Sequence, residues 1–302
     1  MFDRKENIRR SLFKTLFAAV IFNLMLSATA MGVVTKAQQK NLSSNRLRSM
    51  ARVYMAYGEY SKAQPLAEEA LKKVRMQGGN NSEYAMCSLD MAIIHQNQGN
   101  LSKALELCKQ GLRLQRKTLF NNHPYIAYTL RTLSSIYSDM DNLSKADECL
   151  QDAMSIMLDS HSKDDKAMAP FYVDLAGICV GQGKLQIAEK HYDKAIDLIN
   201  GSYGPEHLYT AGVLGEIAKL YTMQNKYGQA EKLINRAIKI QEKSYGADHY
   251  LIAENWVTKA QICQIKGDHR QKEKLISKAL AAVEKTGNAK ALAKLEQSIR
   301  KR

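Results

Sequence analysis

The chain is poor in the residues that interrupt helices and in the motifs that carry catalysis. It has four prolines and one tryptophan in 302 residues, so long helices can run without a break. None of its five cysteines forms a C-x-x-C pair, which leaves a zinc or redox motif without support. No serine-hydrolase, zinc-protease or phosphate-binding motif occurs. We therefore expect no enzymatic activity, no cofactor and no metal.

What the chain contains instead is an internal repeat. The hexapeptide Gly99–Ala104 (GNLSKA) returns in varied form at residues 141, 183, 225 and 267, each step being 42 residues long. A further copy starts at Gly58. A fixed period of this size is typical of a stacked array in which each unit packs against its neighbours. The sequence therefore predicts about six repeats.

Each repeat is predicted to be a pair of antiparallel helices. In the fifth repeat, Leu214, Ala218 and Tyr221 recur at the spacing of one helix face. A second stripe begins at Ala230, and the polar turn between the two stripes contains Asn and Gly. Two helices of about 14 residues plus their turns account for the period, as in a helical hairpin.

Small residues recur where neighbouring helices must meet. The second helix opens on alanine in five repeats and carries another small residue seven positions later. Because seven residues make two helical turns, both lie on one face and allow close approach. These positions are Ala63, Ala104, Ala146, Ala188 and Ala230, followed by Ala70, Gly111, Ala153, Ala195 and Ala237. Cys108, Cys179 and Cys263 fall on positions that other repeats fill with Leu, Ile or Tyr, which predicts buried thiols.

This pattern resembles the tetratricopeptide repeat, in a 42-residue form similar to that of kinesin light chains. The connectors Tyr203–His207 and Tyr245–His249 strengthen the match. The resemblance covers roughly residues 41–285. It implies an all-α, right-handed superhelical solenoid of about six helix-turn-helix hairpins. A kinesin light chain-like cytoplasmic cargo adaptor is one function it implies, although the paired asparagines that hold cargo there are replaced here, as at Leu89-Asp90.

The first residues predict export. A basic head precedes an apolar run from Leu16 to Leu26 and a small-residue site, typical of a secretory signal cleaved after Ala30 or Ala37. The uncharged stretch 15–35 is also long enough to span a bilayer, so an N-terminal membrane anchor is an alternative, and a buried first helix is a third. We predict that residues 1–37 are a signal peptide or membrane tether. The repeats would then lie outside the cytoplasm, periplasmic or extracellular.

Residues 286–302 are predicted to form a basic capping helix at the end of the array. The apolar residues of this tail fall on one side of a helix, namely Ala289, Leu292, Leu295 and Ile299. The basic residues 300–302 favour the C-terminal end of such a helix, where the helix dipole is negative.

Three histidines occupy one phase of the repeat, His123, His207 and His249, and Asp165 takes the same position in the fourth repeat. Equivalent positions in stacked repeats lie on the order of 16–20 Å apart. Histidine ligands lie about 2 Å from zinc, so these side chains cannot share one ion. We expect them to cap or pack at helix entries, and His95 to be a core or a half-buried residue.

The net charge of +14 favours acidic partners in general. The tyrosines fall mainly at core phases, which leaves no platform on which bases could stack. We therefore do not expect nucleic acid as a partner. A basic module that binds an anionic polymer or a membrane surface is the alternative function that the charge favours.

The groove lined by the first helices is the predicted binding surface, because concave solenoid surfaces commonly bind extended or helical peptides. The residues expected to face it are Asn45, Arg48, Arg52, Gln96, Asn97, Arg131, Ser135, Ser138, Lys219, Gln261 and Gln264. Asp90, Asp174 and Glu216 form an acidic row beside them. Arg48 and Arg52 would make the first end basic, suited to a carboxylate. The predicted function is a non-catalytic scaffold or adaptor that binds a protein or peptide segment.

Overall fold

The computed structural model describes residues 42–76, 78, 81–160 and 165–285, together with residues 292, 293, 295, 296 and 299 of the tail. Residues 42–285 of this set form twelve α-helices and two short 3-10 helices, the described residues of the tail are also helical, and no strand lies among the described residues. The signal peptide or anchor predicted within residues 1–37 falls outside the described part. Within that part, no helix is both long and apolar enough to cross a membrane.

The helices pair into six hairpins, as the 42-residue period predicts. Their bounds are α1 Ser44–Ala56, α2 Tyr60–Met76, α3 Asn81–Asn97, α4 Leu101–Thr118, α5 Pro124–Asp139, α6 Leu143–Ser160, α7 Ala169–Gly181, α8 Leu185–Tyr203, α9 Leu208–Met223, α10 Tyr227–Tyr245, α11 Ala253–Ile265 and α12 His269–Glu284. The 3-10 helices Lys166–Met168 and Tyr250–Ile252 lead into α7 and α11. The all-α solenoid of about six hairpins is therefore confirmed.

The turn inside each hairpin explains the repeated hexapeptide. Its first residue has a positive φ in every repeat, from 60° at Asp141 and Asn225 to 82° at Gly99. A residue in the left-handed conformation terminates the first helix of each hairpin. Gly, Asn and Asp are the residues that adopt this conformation most readily. The repeat thus preserves a backbone conformation more strictly than a side chain.

The small residues lie in the core, where the sequence places them. Ala63, Ala104, Ala146, Ala188 and Ala230 are all fully buried. The thiols of Cys108, Cys179 and Cys263 are also buried and unpaired, as predicted. The core continues into the tail, where Leu295 is buried and both Leu292 and Ile299 pack against the cluster around Trp256.

The first helices of the hairpins form the inner face of the array. Each packs on the second helix of its own hairpin, and α1 contacts α3, α3 contacts α5, α5 contacts α7, and α9 contacts α11. In a curved solenoid, equivalent helices of successive repeats lie closer together on the concave side than on the convex side. This arrangement gives the groove its wall.

Candidate functional site

The basic first end of the groove is not free. Arg48 is 9% exposed, and its Nε donates to Asp90 Oδ2 at 2.9 Å. The exposed Arg52 lies 3.7 Å from the other oxygen of Asp90. Burial raises the pKa of Asp90, and the two arginines oppose that shift. The expectation that Arg48 and Arg52 together offer a free basic end is therefore wrong for Arg48, which joins α1 to α3.

A second tie joins α3 to α5. Gln96 is buried, and its side-chain amide donates to Ser135 Oγ at 2.8 Å and to Asp139 Oδ2 at 2.6 Å. Ser135 is itself exposed on the inner face. An amide with two acceptors is well satisfied, so Gln96 holds two repeats together rather than standing open in the groove.

The third tie joins α5 to α7. Arg131 donates to both carboxylate oxygens of Asp174, at 2.5 and 3.4 Å, and its guanidinium lies 5.7 Å from the centroid of the Phe171 ring. A planar, two-point contact of this kind fixes orientation as well as distance. The acidic row predicted beside the groove thus consists of partners of the basic residues.

The fourth tie joins α9 to α11. Lys219 Nζ lies 2.8 Å from Glu216 and 2.7 Å from Glu254. Burial disfavours the ammonium ion, but the two carboxylates outweigh burial and raise the pKa of Lys219. Lys219 is therefore charged at any ordinary pH.

The other predicted groove residues have varied surroundings. Asn97 donates to the carbonyl of Ile93 in its own helix at 2.8 Å. Asn45 and Gln264 are exposed, whereas Ser138 and Gln261 are half-buried. Contact of any of these residues with a ligand stays a prediction.

A cleft of about 720 Å³ opens where the fourth repeat meets its neighbours. Its walls include Tyr128 and Arg131 of α5, Lys166 and Val173 of the fourth repeat, Tyr203 at the end of α8, and Tyr209, Gly212 and Glu216 of α9. Tyr128, Tyr203 and Tyr209 are 39, 44 and 60% exposed. The expectation that tyrosines lie mainly in the core fails for these three. Tyr203 ends α8, Tyr209 lies in the first turn of α9, and Tyr128 lies one turn into α5.

The cleft combines aromatic surface with a charge that has no partner among the described residues. Arg131 is paired with Asp174, and Glu216 is paired with Lys219. Lys166 is exposed with its Nζ 5.5 Å from the centroid of the Tyr203 ring, and no carboxylate of the described residues pairs with it. The cleft therefore favours a ligand that carries both apolar surface and a negative charge.

The three histidines in one phase cap helices, as predicted. The Nδ1 atoms of His123, His207 and His249 accept hydrogen bonds from the backbone amides two residues on, at 3.1, 3.2 and 3.3 Å. Asp165 does the same with a carboxylate oxygen at 2.7 Å. Burial lowers the pKa of His207 and of His249. No group of three metal-ligating side chains comes together in the described part of the chain.

The fold defines a class of protein, the helical-hairpin solenoid, and the sequence comparisons give the family. The family model of the MalT-like TPR region matches residues 27–186, more than half of the chain. The model of the tetratricopeptide repeat matches residues 168–243 and 213–285. The chain belongs to the tetratricopeptide repeat family. No curated protein matches it in sequence.

Several solved structures share the fold at low sequence identity. NprR in complex with its cognate peptide NprX has a TM-score of 0.66 and 14% identity, over 97% of this chain and 83% of that one. A Rap protein complexed with Competence and Sporulation Factor has a TM-score of 0.64 and 13% identity, over 87% and 76%. A putative kinesin light chain repeat protein of Podosopora anserina has a TM-score of 0.52 and 20% identity, over 66% and 95%. Arrays of this kind typically serve as interaction scaffolds.

Proposed function

We propose that the protein is a non-catalytic scaffold that binds a peptide or protein segment along its inner face, with the cleft as the anchoring point. The observation that carries this proposal is the cleft itself, which sets three exposed tyrosines and the exposed ammonium of Lys166 around one space. Support also comes from NprR, a protein of similar fold whose structure was solved in complex with its cognate peptide NprX.

The chemistry of the cleft describes its ligand. Tyrosines supply large rigid apolar surface with a polar tip, a combination enriched where proteins bind one another. Lys166 adds a cation that a carboxylate of the ligand can approach. The expected segment therefore carries a large apolar side chain with an acidic group nearby.

Glycine positions allow the cleft to be blocked without disturbing the core. Gly212 lines the cleft, and a Cβ atom added there would meet nothing within 4 Å. Leucine is a better helix former than glycine, so Gly212→Leu should fold while its side chain fills the cleft. Gly228→Leu on α10 is the matched control, since its position is equally open and lies outside the cleft.

The test begins with selection of peptides from a random displayed library on the wild-type protein. We expect the selected peptides to bind Gly212→Leu at least about tenfold more weakly by fluorescence anisotropy, a difference of about 1.4 kcal/mol. Binding to Gly228→Leu should be unchanged. Equal affinities for the two variants would contradict the proposal. Gly177→Leu, at another open position on the inner helix α7, shows whether the ligand runs beyond the cleft.

Salt dependence separates this function from polyanion binding. Binding that depends on counterion release falls steeply with salt concentration, whereas binding in a mixed aromatic cleft should fall only mildly. A steep fall for an anionic polymer, with no selected peptide at all, would favour the basic-module alternative.

We also propose that the array acts outside the cytoplasm, on the strength of the basic head and apolar run in residues 1–37. Intact mass of the exported protein, expressed with a C-terminal tag, should show a chain that begins at Met31 or Gln38. An uncleaved species in the membrane fraction would mean a tether through residues 15–35. A soluble, full-length cytoplasmic protein would contradict export and favour the kinesin light chain-like adaptor.

A further inference from the structure

The last repeat touches the first. Tyr250 opens the 3-10 helix that leads into α11, and its hydroxyl donates to the carbonyl of Ala56 at 3.2 Å, across 194 residues of sequence. The tyrosine ring lies against Gly58 in the first turn. Burial raises the pKa of Tyr250, with the phenols of Tyr60 and Tyr245 nearby. The superhelix therefore completes a turn within this chain.

The contact depends on a glycine that the turn alone does not require. Gly58 has a φ of +67°, but Asp141 and Asn225 hold the same turn position in other repeats at a φ of 60°. A Cβ atom on residue 58 would lie 2.6 Å from the Cζ of Tyr250, which is closer than real contacts allow. At Gly99, Gly183 and Gly267 a Cβ would meet nothing within 4 Å. Gly58 is thus fitted to Tyr250 as well as to its own turn.

We propose that this contact is a clasp between the first and sixth repeats, and that it closes the side of the groove. The proposal rests on the groove being the binding surface. With the clasp shut, the inner face is enclosed by one full turn of helices, so a ligand enters along the axis as a flexible segment. With the clasp open, the turn spreads and the groove admits bulkier structure.

The clasp is weak enough to open. Tyr250 contacts the first turn through one hydrogen bond and one ring face, and the hydrogen bond is exposed to water. A closure that depends on one partly exposed side chain leaves an open minor state, which for such two-state equilibria is populated on the order of 0.1–10%. Ligand binding can therefore shift the equilibrium in either direction.

The test measures access to the groove without any ligand. A cysteine is introduced at Ser135, exposed on the inner face, or at Ser155, exposed on the outer helix α6. In the Ser135→Cys variant, Gln96 still donates a hydrogen bond to Asp139. Both variants are labelled with a polyethylene glycol maleimide and with iodoacetamide, and the rate of the native cysteines is subtracted. Four of those five are buried and Cys149 is half-buried.

The clasp is opened with Tyr250→Leu, because leucine stands at the equivalent position of the fifth repeat, Leu208. We expect this change to raise the rate of polymer labelling at position 135 roughly tenfold or more, as the open state becomes dominant. Labelling at position 155, and labelling by iodoacetamide at either position, should stay the same. Tyr250→Phe, which removes only the hydrogen bond, should give an intermediate rate.

An unchanged polymer rate at position 135, in a variant of unchanged helical content by circular dichroism, would overturn the clasp. Because no peptide is used, this outcome leaves the proposed binding function standing. Conversely, equal peptide affinities for Gly212→Leu and Gly228→Leu would contradict ligand binding in the cleft but would not affect the labelling result.

Discussion

Single residues decide how closely neighbouring repeats pack, and Gly215 in α9 is an example. A Cβ atom there would lie 2.3 Å from Oδ1 of Asn255, whose amide donates to Gln241 at 2.7 Å in the core. The glycine lets a buried polar pair approach the α9 backbone.

Gly215→Ala should lower the free energy of unfolding by about 1–3 kcal/mol, since either the Asn255 hydrogen bond breaks or the helices separate. Gly212→Ala, three residues earlier in the same helix and in open space, should raise it by about 0.5–1 kcal/mol. Urea denaturation of the two variants measures both effects. A stabilised Gly215→Ala protein would mean that Asn255 has room to move.

The histidine caps make stability depend on pH. Each accepts a hydrogen bond through Nδ1, which requires the neutral ring. The pKa of His207 and of His249 is lowered in the folded protein, so their contribution is present above the ordinary value of about 6.5. It is lost as the pH falls through the lower, folded value. We expect about 1 kcal/mol of lost stability for each cap between pH 7 and pH 5.

The double variant His207→Asp, His249→Asp provides the control, because Asp165 already caps the fourth repeat with a carboxylate. Aspartate stays ionised through this pH range, so the variant should keep its caps at pH 5. His95 and His191 titrate in both proteins, and the difference between the two denaturation curves removes their effect. If both proteins lost the same stability between pH 7 and pH 5, the histidine caps would contribute nothing to the pH dependence.

At the scale of helices, polar ties between successive first helices set the spacing of the repeats. Arg48 with Asp90 and Arg131 with Asp174 occupy comparable places at two junctions, yet differ in burial. Removing one partner of a buried pair leaves an uncompensated charge, whereas a partly exposed pair contributes little.

Asp90→Ala should therefore cost about 3–5 kcal/mol, because Arg48 stays buried without its partner. Asp174→Ala should cost about 1 kcal/mol or less, since Arg131 and Asp174 are about one-third exposed and Arg131 can turn to water. Hydrogen exchange should report the first loss as faster exchange in α1 and α2. Equal costs at the two junctions would mean that burial does not decide the strength of the ties.

The helices themselves could be predicted because period, stripe and turn residues agree. The hexapeptide beginning at Asp141 or Asn225 marks the left-handed turn as well as glycine does, and the structure has a positive φ there. The caps at His123 and Asp165 could also be predicted from their shared phase. These features depend on residues close in sequence, which local patterns record.

The pairing inside the groove was harder to predict, because each tie joins residues about one repeat apart. Arg48 and Asp90 are separated by 42 residues, and Arg131 and Asp174 by 43. Opposite charges one period apart are a signal that a search by phase could have found. The cleft had no such signal, since Tyr128, Lys166 and Tyr203 come from three elements whose convergence depends on how the repeats stack.

For the whole molecule, the clasp couples the local stability of the first repeat to that of the last. In an open array each repeat interacts only with its neighbours, so the two end repeats fray first. Contact between Tyr250 and the first turn couples those ends. Tyr250→Leu should therefore speed hydrogen exchange in α1 and α11 together, although no sequence neighbour of α1 is altered. Tyr209→Ala, at an exposed tyrosine near the start of α9, should leave α1 unchanged.

The ties also mean that the repeats of this chain are not interchangeable. The four ties are of three kinds: arginine with aspartate at two junctions, glutamine with serine and aspartate at a third, and lysine with two glutamates at a fourth. Excision of the 42 residues after Arg48 would shorten the array by one repeat and keep the period of the rest, but it would bring Thr132 to the place of Asp90. The polar side chains at the junctions therefore pair correctly only in the native order of repeats. A shortened or shuffled array would keep the backbone period but would bring together side chains that do not pair.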